Sequence, residues 1–357
     1  MLRILVRALS GLVVVVLVGV GGMLAWRAVA RVQMAKALAI RSPTGIDEAG
    51  FVRIGGADQW VTVRGDDRAK PVLLVLHGGP GQPQSFLIAE TRPLEHDFVV
   101  VQWDQPGAGK TLARAGGVVD PALDMDTMVR DGLAVTDYLR AHLRRDRIVL
   151  LGFSWGSELG VRMVEARPTA FASYVGTGQA GGTQAQSDPI VYRTLLDEAA
   201  AARDAKTLAA LKAAGPPPWT GAAMQQVWRA SAPYRAADIG YGTALRAALL
   251  APHWSLSDDF VMAKGRPALK ATRLEKQIWA FDPATFGRSL AVPVLVIQGE
   301  RDLTTPTALA RGWFDRLQAP AKRFVVIPGA GHQAMLTHDA AFDRALVAGL
   351  QAVGAQP

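Results

Sequence analysis

Arg147-Ile148-Val149-Leu150-Leu151-Gly152-Phe153-Ser154-Trp155-Gly156 decides how this 357-residue chain is read. An apolar run enters a Gly-x-Ser-x-Gly turn, and a helical pattern from Glu158 to Ala166 follows it. That is the pattern of a nucleophile elbow, in which flanking glycines let a buried strand turn sharply into a helix and raise a serine above the sheet edge. Gly-x-Ser-x-Gly alone is a weak signal, since both residue types are common. The flanking strand and helix patterns give it meaning, and three further segments agree with it.

Upstream, Pro71-Val72-Leu73-Leu74-Val75-Leu76 reads as a second buried strand, and it runs into His77-Gly78-Gly79-Pro80-Gly81. Backbone N–H groups of such a loop can stabilise the oxyanion of a tetrahedral intermediate. Gly79 is the expected donor, paired with the Trp155 N–H. Downstream, Val292–Ile297 reads as a strand that ends in Gln298-Gly299-Glu300-Arg301-Asp302, and Arg323–Ile327 leads into Pro328-Gly329-Ala330-Gly331-His332. Ser154, Asp302 and His332 thus occur in the order that a Ser…Asp…His hydrolase requires. A serine hydroxyl needs a base to take its proton, imidazole has a suitable pKa, and a carboxylate fixes the imidazole tautomer. Glu300 is the rival carboxylate. Asp315 falls on a helical pattern. His77 belongs to the glycine loop, His96, His142 and His253 have no strand-end setting, and His338 opens the last helical pattern, so a structural role suits these five better.

His77-Gly78-Gly79-Pro80-Gly81, Trp103-Asp104-Gln105-Pro106-Gly107-Ala108-Gly109, Gly152–Ser157 and Gly329-Ala330-Gly331-His332 together resemble the prolyl iminopeptidase branch of the α/β-hydrolase fold. The resemblance spans about residues 50 to 355. It implies a Ser-His-Asp hydrolase with a helical cap that releases an N-terminal residue, often proline, from small peptides, using acidic residues to hold the substrate's free amine. The family usually has Arg where Pro106 stands. No cap acid here matches a family residue one for one, and Asp197, Glu198, Asp258, Asp259 and Glu275 are the candidates. The alternatives are a carboxylesterase acting on small apolar esters and, in another class, a binding or receptor protein with little turnover. No metal or organic cofactor is expected.

Gly109-Lys110-Thr111 resembles half of a phosphate-binding loop, but Asp104 occupies the place of that motif's first glycine and would repel phosphate.

The expected architecture is a mainly parallel sheet with helices on both faces, an inserted helical cap and an N-terminal transmembrane helix. A hairpin (51–54 and 59–63) precedes strands at 71–77, 98–104, 147–153, 173–177, 292–298 and 322–327. Helices are expected near 125–144, capped by Asp126, and near 155–166, 306–318 and 338–353. The chain divides into an anchor or signal segment (1–41), a first core part (42–182), an Ala-rich helical cap (183–290) and a second core part (291–357). Pro216-Pro217-Pro218 forms a rigid joint inside the cap. Trp219, Trp228, Trp254 and Trp279 are expected to pack cap helices, with one or two lining an apolar pocket over Ser154.

Residues 8–26 carry no charge, and a 19-residue helix of about 28 Å matches a hydrocarbon core of about 30 Å. The segment reads as an anchor in the lipid bilayer that leaves the catalytic domain outside the cytoplasm. The alternative is a signal peptide cut after Ala28-Val29-Ala30, giving a secreted or periplasmic enzyme. Residues 1–41 hold six basic residues and no acid, and removing those six from the formal +8 leaves +2 for the rest. The basic pI therefore belongs largely to the anchor's flanks, and nothing in the remainder suggests nucleic acid. Absence of cysteine does not discriminate between compartments.

Overall fold

The computed structural model describes residues 2–235, 238–279 and 281–355; the side chains of residues 2–8, Tyr241 and Trp279 lie outside the description. The expectation placed on Trp279 therefore lies outside the described residues.

Among the described residues eight strands form one sheet. They are β1 (Ile46–Ile54), β2 (Ala57–Gly65), β3 (Val72–Leu76), β4 (Val99–Trp103), β5 (Ile148–Phe153), β6 (Phe171–Thr177), β7 (Val294–Gly299) and β8 (Lys322–Ile327). Their order is β1-β2-β4-β3-β5-β6-β7-β8, with β1 and β2 antiparallel and the remaining neighbours parallel from β4 to β8. The opening hairpin is longer than the apolar pattern suggested, because β1 is an edge strand that begins with Ile46-Asp47-Glu48-Ala49-Gly50, ahead of the apolar pair Phe51-Val52. Its turn is Gly55-Gly56, both at positive φ (56° and 82°), the conformation a two-residue hairpin loop demands.

The helices are α1 (Leu2–Ala37), α2 (Ile88–Thr91), α3 (Gly109–Arg114), α4 (Met125–Leu143), α5 (Trp155–Ala166), α6 (Gln184–Ala201), α7 (Ala205–Ala214), α8 (Gly221–Ala230), α9 (Tyr241–Leu250), α10 (Leu256–Met262), α11 (Gly265–Leu269), α12 (Arg273–Trp279), α13 (Thr307–Arg316), α14 (Ala334–Thr337) and α15 (Asp339–Ala352). Asp124, not Asp126, caps α4: its carboxylate accepts the Thr127 N–H at 2.9 Å, while Asp126 already lies in the first turn. An N-cap needs non-helical backbone, and Asp124 has it (φ −136°, ψ 176°).

Strand periodicity sorts the core into two layers. Leu74, Leu76 and Leu150 face Met128, Val135 and Leu139 of α4 and Leu159 and Met163 of α5. Leu73, Val75, Val149 and Leu151 face Phe342, Leu346 and Leu350 of α15. The crossover helices thus cover both faces, as a buried parallel sheet requires. Among the described residues seven α-helices, α6 to α12, stand between β6 and β7. The three prolines join α7 to α8. Within this insertion Trp219 packs edge-on against Tyr192, and Trp254 is fully buried against Phe86.

The stretch Leu9–Ala37 of α1 is long and apolar enough to cross a membrane, and its side chains are exposed from Leu9 to Trp26.

Candidate active site

β5 ends at Phe153 and α5 starts at Trp155, so the whole strand-to-helix reversal falls on Ser154. Its backbone is held at φ 55°, ψ −122°, a conformation that a non-glycine residue keeps only when its surroundings enforce it. The enforcement is visible. Ser154 N–H donates to Thr177 O on β6 at 3.0 Å, and Ser154 O accepts from Ser157 N–H (2.8 Å) and Ser157 Oγ (2.6 Å). Ser157 Oγ in turn accepts the Ala180 N–H at 2.9 Å, tying the elbow to the loop after β6. Gly152 and Gly156 are required by close approach. A Cβ on Gly156 would fall on Leu76 O, and one on Gly152 would meet Ser157 Cα at 2.6 Å.

Asp302 stands beyond the carboxyl end of β7 and His332 on the loop after β8. His332 Nδ1 and Asp302 Oδ2 are 2.9 Å apart, which leaves Nε2 for another partner. The carboxylate is held from every side. Oδ1 accepts the N–H groups of Thr304 and Thr305, both at 2.8 Å; Oδ2 accepts from Gln298 Nε2 and Thr305 Oγ1, both at 2.9 Å. Glu300, the rival, turns away and accepts the Gly329 N–H at 2.9 Å. The His332 ring lies against Phe153, beside Ser154 in sequence, with centroids 5.0 Å apart. Gly178, after β6, provides the space: a Cβ there would meet His332 Nδ1 at 3.0 Å. Among the described residues Ser154 and His332 share no hydrogen bond. Such bonds often form only once substrate excludes water.

Gly79, Ser154 and Trp155 line one cleft of about 450 Å³. Trp155 opens α5, where the first N–H groups have no partner within the helix. Gln105, which follows β4, links the two candidate oxyanion elements. Its Nε2 donates to His77 O (3.2 Å), its N–H to His77 Nε2 (3.2 Å), and its Oε1 accepts from Trp155 Nε1 (3.0 Å). His77 Nδ1 lies 2.8 Å from Gly78 O and donates to it, since Nε2 is the acceptor from Gln105. Burial lowers the His77 pKa to about 4 and so keeps the imidazole neutral, as that pattern requires. His77 is therefore a brace for the loop.

The cleft also contains a carboxylate that the sequence pattern did not single out. Glu158, one helical turn after Ser154, lines it while only 4% exposed. Burial pushes its pKa up to about 7, against the Arg162 guanidinium, which bonds Oε1 at 3.1 Å. No hydrogen bond among the described residues uses Oε2. The acids expected in the cap do not line this cleft. Asp197 is exposed, while Glu198 pairs with Arg301, Asp258 with Lys110 and Glu275 with Arg266. Nor do Trp219, Trp228 or Trp254 reach it; the wall on the cap side is the start of α6 (Thr183, Gln184, Ala185 and Ser187) with Arg266, Ile278 and Phe281. Gln105, Gln298, Thr305 and Glu158 are thus the site residues that the motif reading missed. Glu158 could have been found from its i+4 spacing to Ser154. The other three depend on which strands are neighbours.

Asp104, at the P-loop-like segment, is buried and its pKa is pushed up to about 7 by that burial. Lys110 Nζ is bound to Asp258 at 2.9 Å and lies over the Trp60 ring, so it is committed to the cap. The segment is structural.

Residues 71–339 match the α/β hydrolase fold family. The chain belongs to it. The probable aminopeptidase YbaC of Bacillus subtilis is 27% identical over 286 residues, 78% of this chain and 88% of that protein. A probable proline iminopeptidase of Streptomyces coelicolor is 36% identical over 141 residues, a match confined to 38% of this chain and 42% of that protein. Among solved structures, a proline iminopeptidase-related protein of Thermus thermophilus superposes with TM-score 0.57 at 22% identity, over 86% of this chain and 98% of its own. The chain is therefore an α/β hydrolase, an enzyme similar to the proline iminopeptidase-like branch of the fold.

Proposed function

We propose that this chain is a membrane-anchored serine aminopeptidase that releases N-terminal proline or small apolar residues from short peptides. The observation that carries the reading is one cleft in which Ser154, two candidate oxyanion donors and the Glu158 carboxylate share the walls. Ser154 Oγ attacks the scissile carbonyl carbon while His332 Nε2 takes its proton, with Asp302 holding the imidazole through Nδ1. The N–H groups of Gly79 and Trp155 stabilise the oxyanion. His332 then gives its proton to the leaving amine. A water activated by His332 hydrolyses the acyl-enzyme and regenerates the serine. Ile278, Phe281 and Leu309 offer apolar surface for a proline ring. Glu158 Oε2 binds the substrate's free ammonium group. Residues 8–26 anchor the enzyme in the bilayer, with the catalytic domain outside the cytoplasm.

The test is hydrolysis of a proline arylamide, its N-acylated counterpart and an acyl ester by wild type, Ser154→Ala and Glu158→Gln. All turnover should vanish in Ser154→Ala. Glu158→Gln should lose about 10- to 100-fold in kcat/KM on the free-amine substrate alone, the worth of a hydrogen bond to a charged group. Ester turnover without arylamide turnover, still dependent on Ser154, would move the function to a carboxylesterase. Equal rates on free and blocked amines would remove the aminopeptidase reading.

A further inference from the structure

The charge-free stretch of α1 ends at Trp26, but the helix continues to Ala37, and its first basic residues are bound to the cap. Arg27 Nη2 donates to Trp254 O at 3.4 Å and Arg31 Nη2 to Pro252 O at 2.6 Å. With a rise of about 1.5 Å per residue, Arg27 and Arg31 lie about 1.5 and 7.5 Å beyond Trp26 along the helix. A headgroup layer is about 5–8 Å deep on each side of the hydrocarbon. If residues 8–26 span the bilayer, the cap turn 251–255 therefore stands level with lipid headgroups. Trp254, fully buried against Phe86, fixes that turn to the body of the enzyme.

The turn joins α9 to α10, and both helices expose large apolar side chains. Phe260 of α10 is 75% exposed, and Leu245 of α9 is also exposed. The acids beside Phe260 do not present free charge to a membrane. Asp258 is bound by Lys110 and caps its own helix through Ser255. Both carboxyl oxygens of Asp259 are buried, and they feel the attraction of Arg27 and Arg31. Arg246 of α9 adds a further cation beside Leu245. Exposed apolar side chains on a corner that is hydrogen-bonded to an anchor helix and carries Arg27, Arg31 and Arg246 have the chemistry of an interfacial contact with anionic lipid.

We infer that the α9–α10 corner of the cap is a bilayer-docking surface, with Phe260 inserted at the lipid interface. The inference rests on the anchor reading of residues 8–26. It adds that the enzyme lies down on the membrane through its cap and does not swing freely on its tether.

The chain has no cysteine, so single labels are clean. Phe260→Cys, Ser257→Cys and Arg316→Cys carry an environment-sensitive fluorophore on the full chain, reconstituted into vesicles of phosphatidylethanolamine and phosphatidylglycerol containing nitroxide-labelled lipid. Ser257 and Arg316 are both exposed, the first beside Phe260 with that side chain left in place, the second on α13 in the core. The expected result is quenching at 260 and 257 several-fold stronger than at 316, with all three proteins retained in the carbonate-washed membrane pellet. Equal, weak quenching at all three sites in pelleted protein overturns the docking surface and leaves the anchor standing. Protein released by the wash overturns the anchor and the docking surface together.

Discussion

Gln105→Leu isolates the clamp between the candidate oxyanion elements. Leucine keeps the approximate volume and the backbone N–H bond to His77 Nε2, but it removes the partners of Trp155 Nε1–H and, through Nε2, of His77 O. Gln105 and Trp155 are both buried, so the orphaned groups have little access to water. Each unsatisfied buried group costs about 1–3 kcal/mol, and the gained apolar contact offsets a part, which gives a destabilisation of about 2–4 kcal/mol. Removing one oxyanion donor outright typically costs a factor of about 100–1000 in kcat. Loosening the loop that holds it should cost less, about 10- to 100-fold, with KM nearly unchanged. Urea unfolding measures the first quantity and steady-state hydrolysis of an arylamide the second. Lost stability with kcat intact would reduce Gln105 to a packing residue. No change in either would refute the clamp.

Gly156→Ala puts a Cβ onto Leu76 O, with Leu76 C at 2.7 Å and His77 O at 2.8 Å; backbone cannot rotate aside, so a loss near the upper end of overpacking, about 3 kcal/mol, should appear as a lowered Tm in a thermal scan. Asp302→Asn places an amide where Oδ2 now accepts three donors, favours the wrong His332 tautomer and should lower kcat by about 10³–10⁴, read by single-turnover kinetics. Glu158 carries a pH signature. Because burial raises its pKa to about 7, it loses the charge that holds an amine as pH falls through 7, and KM for a free-amine substrate should rise about tenfold per unit below that point, with no such limb in Glu158→Gln. The same shift acts on stability with the opposite preference. Between about 4.5 and 7 the folded chain keeps a proton that the unfolded chain has released, so this group's contribution falls as pH rises through that window, and denaturation midpoints for Glu158→Gln should show a shallower fall there.

The strands that carry the site were legible because each opens as a short apolar run and leads into a turn that contains glycine: Val72–Leu76 before His77, Ile148–Phe153 before Ser154, and Val294-Leu295-Val296-Ile297 before Gln298, Gly299 and Asp302. A parallel strand buried on both faces has few other ways to be written. Chain order favoured Asp302 over Glu300 only in part; in the structure Asp302 accepts from Thr304 and Thr305 and lies 2.9 Å from His332 Nδ1, while Glu300 accepts from Gly329. Gln105 and Gln298 were illegible for a different reason. Their meaning lies in the sheet order, which sets β4 beside β3 and β6 beside β7, and no local pattern records strand neighbours. The sequence could not choose among the acids of the cap, because helical surfaces are rich in carboxylates with nearby cations, such as Glu198 with Arg301. Trp219 and Trp254 followed the ordinary use of tryptophan as core filling, while Trp228 lies exposed beneath Arg235. The shift of the α4 cap from Asp126 to Asp124 reflects two carboxylates within reach of one helix start, where only backbone dihedrals choose.

The most direct measurement is mass-spectrometric mapping of the adduct formed by a serine-reactive fluorophosphonate. The account predicts a single adduct on Ser154, absent in Ser154→Ala and formed far more slowly in His332→Ala. An unlabelled wild-type protein, or an adduct on another residue such as Ser157, would contradict it.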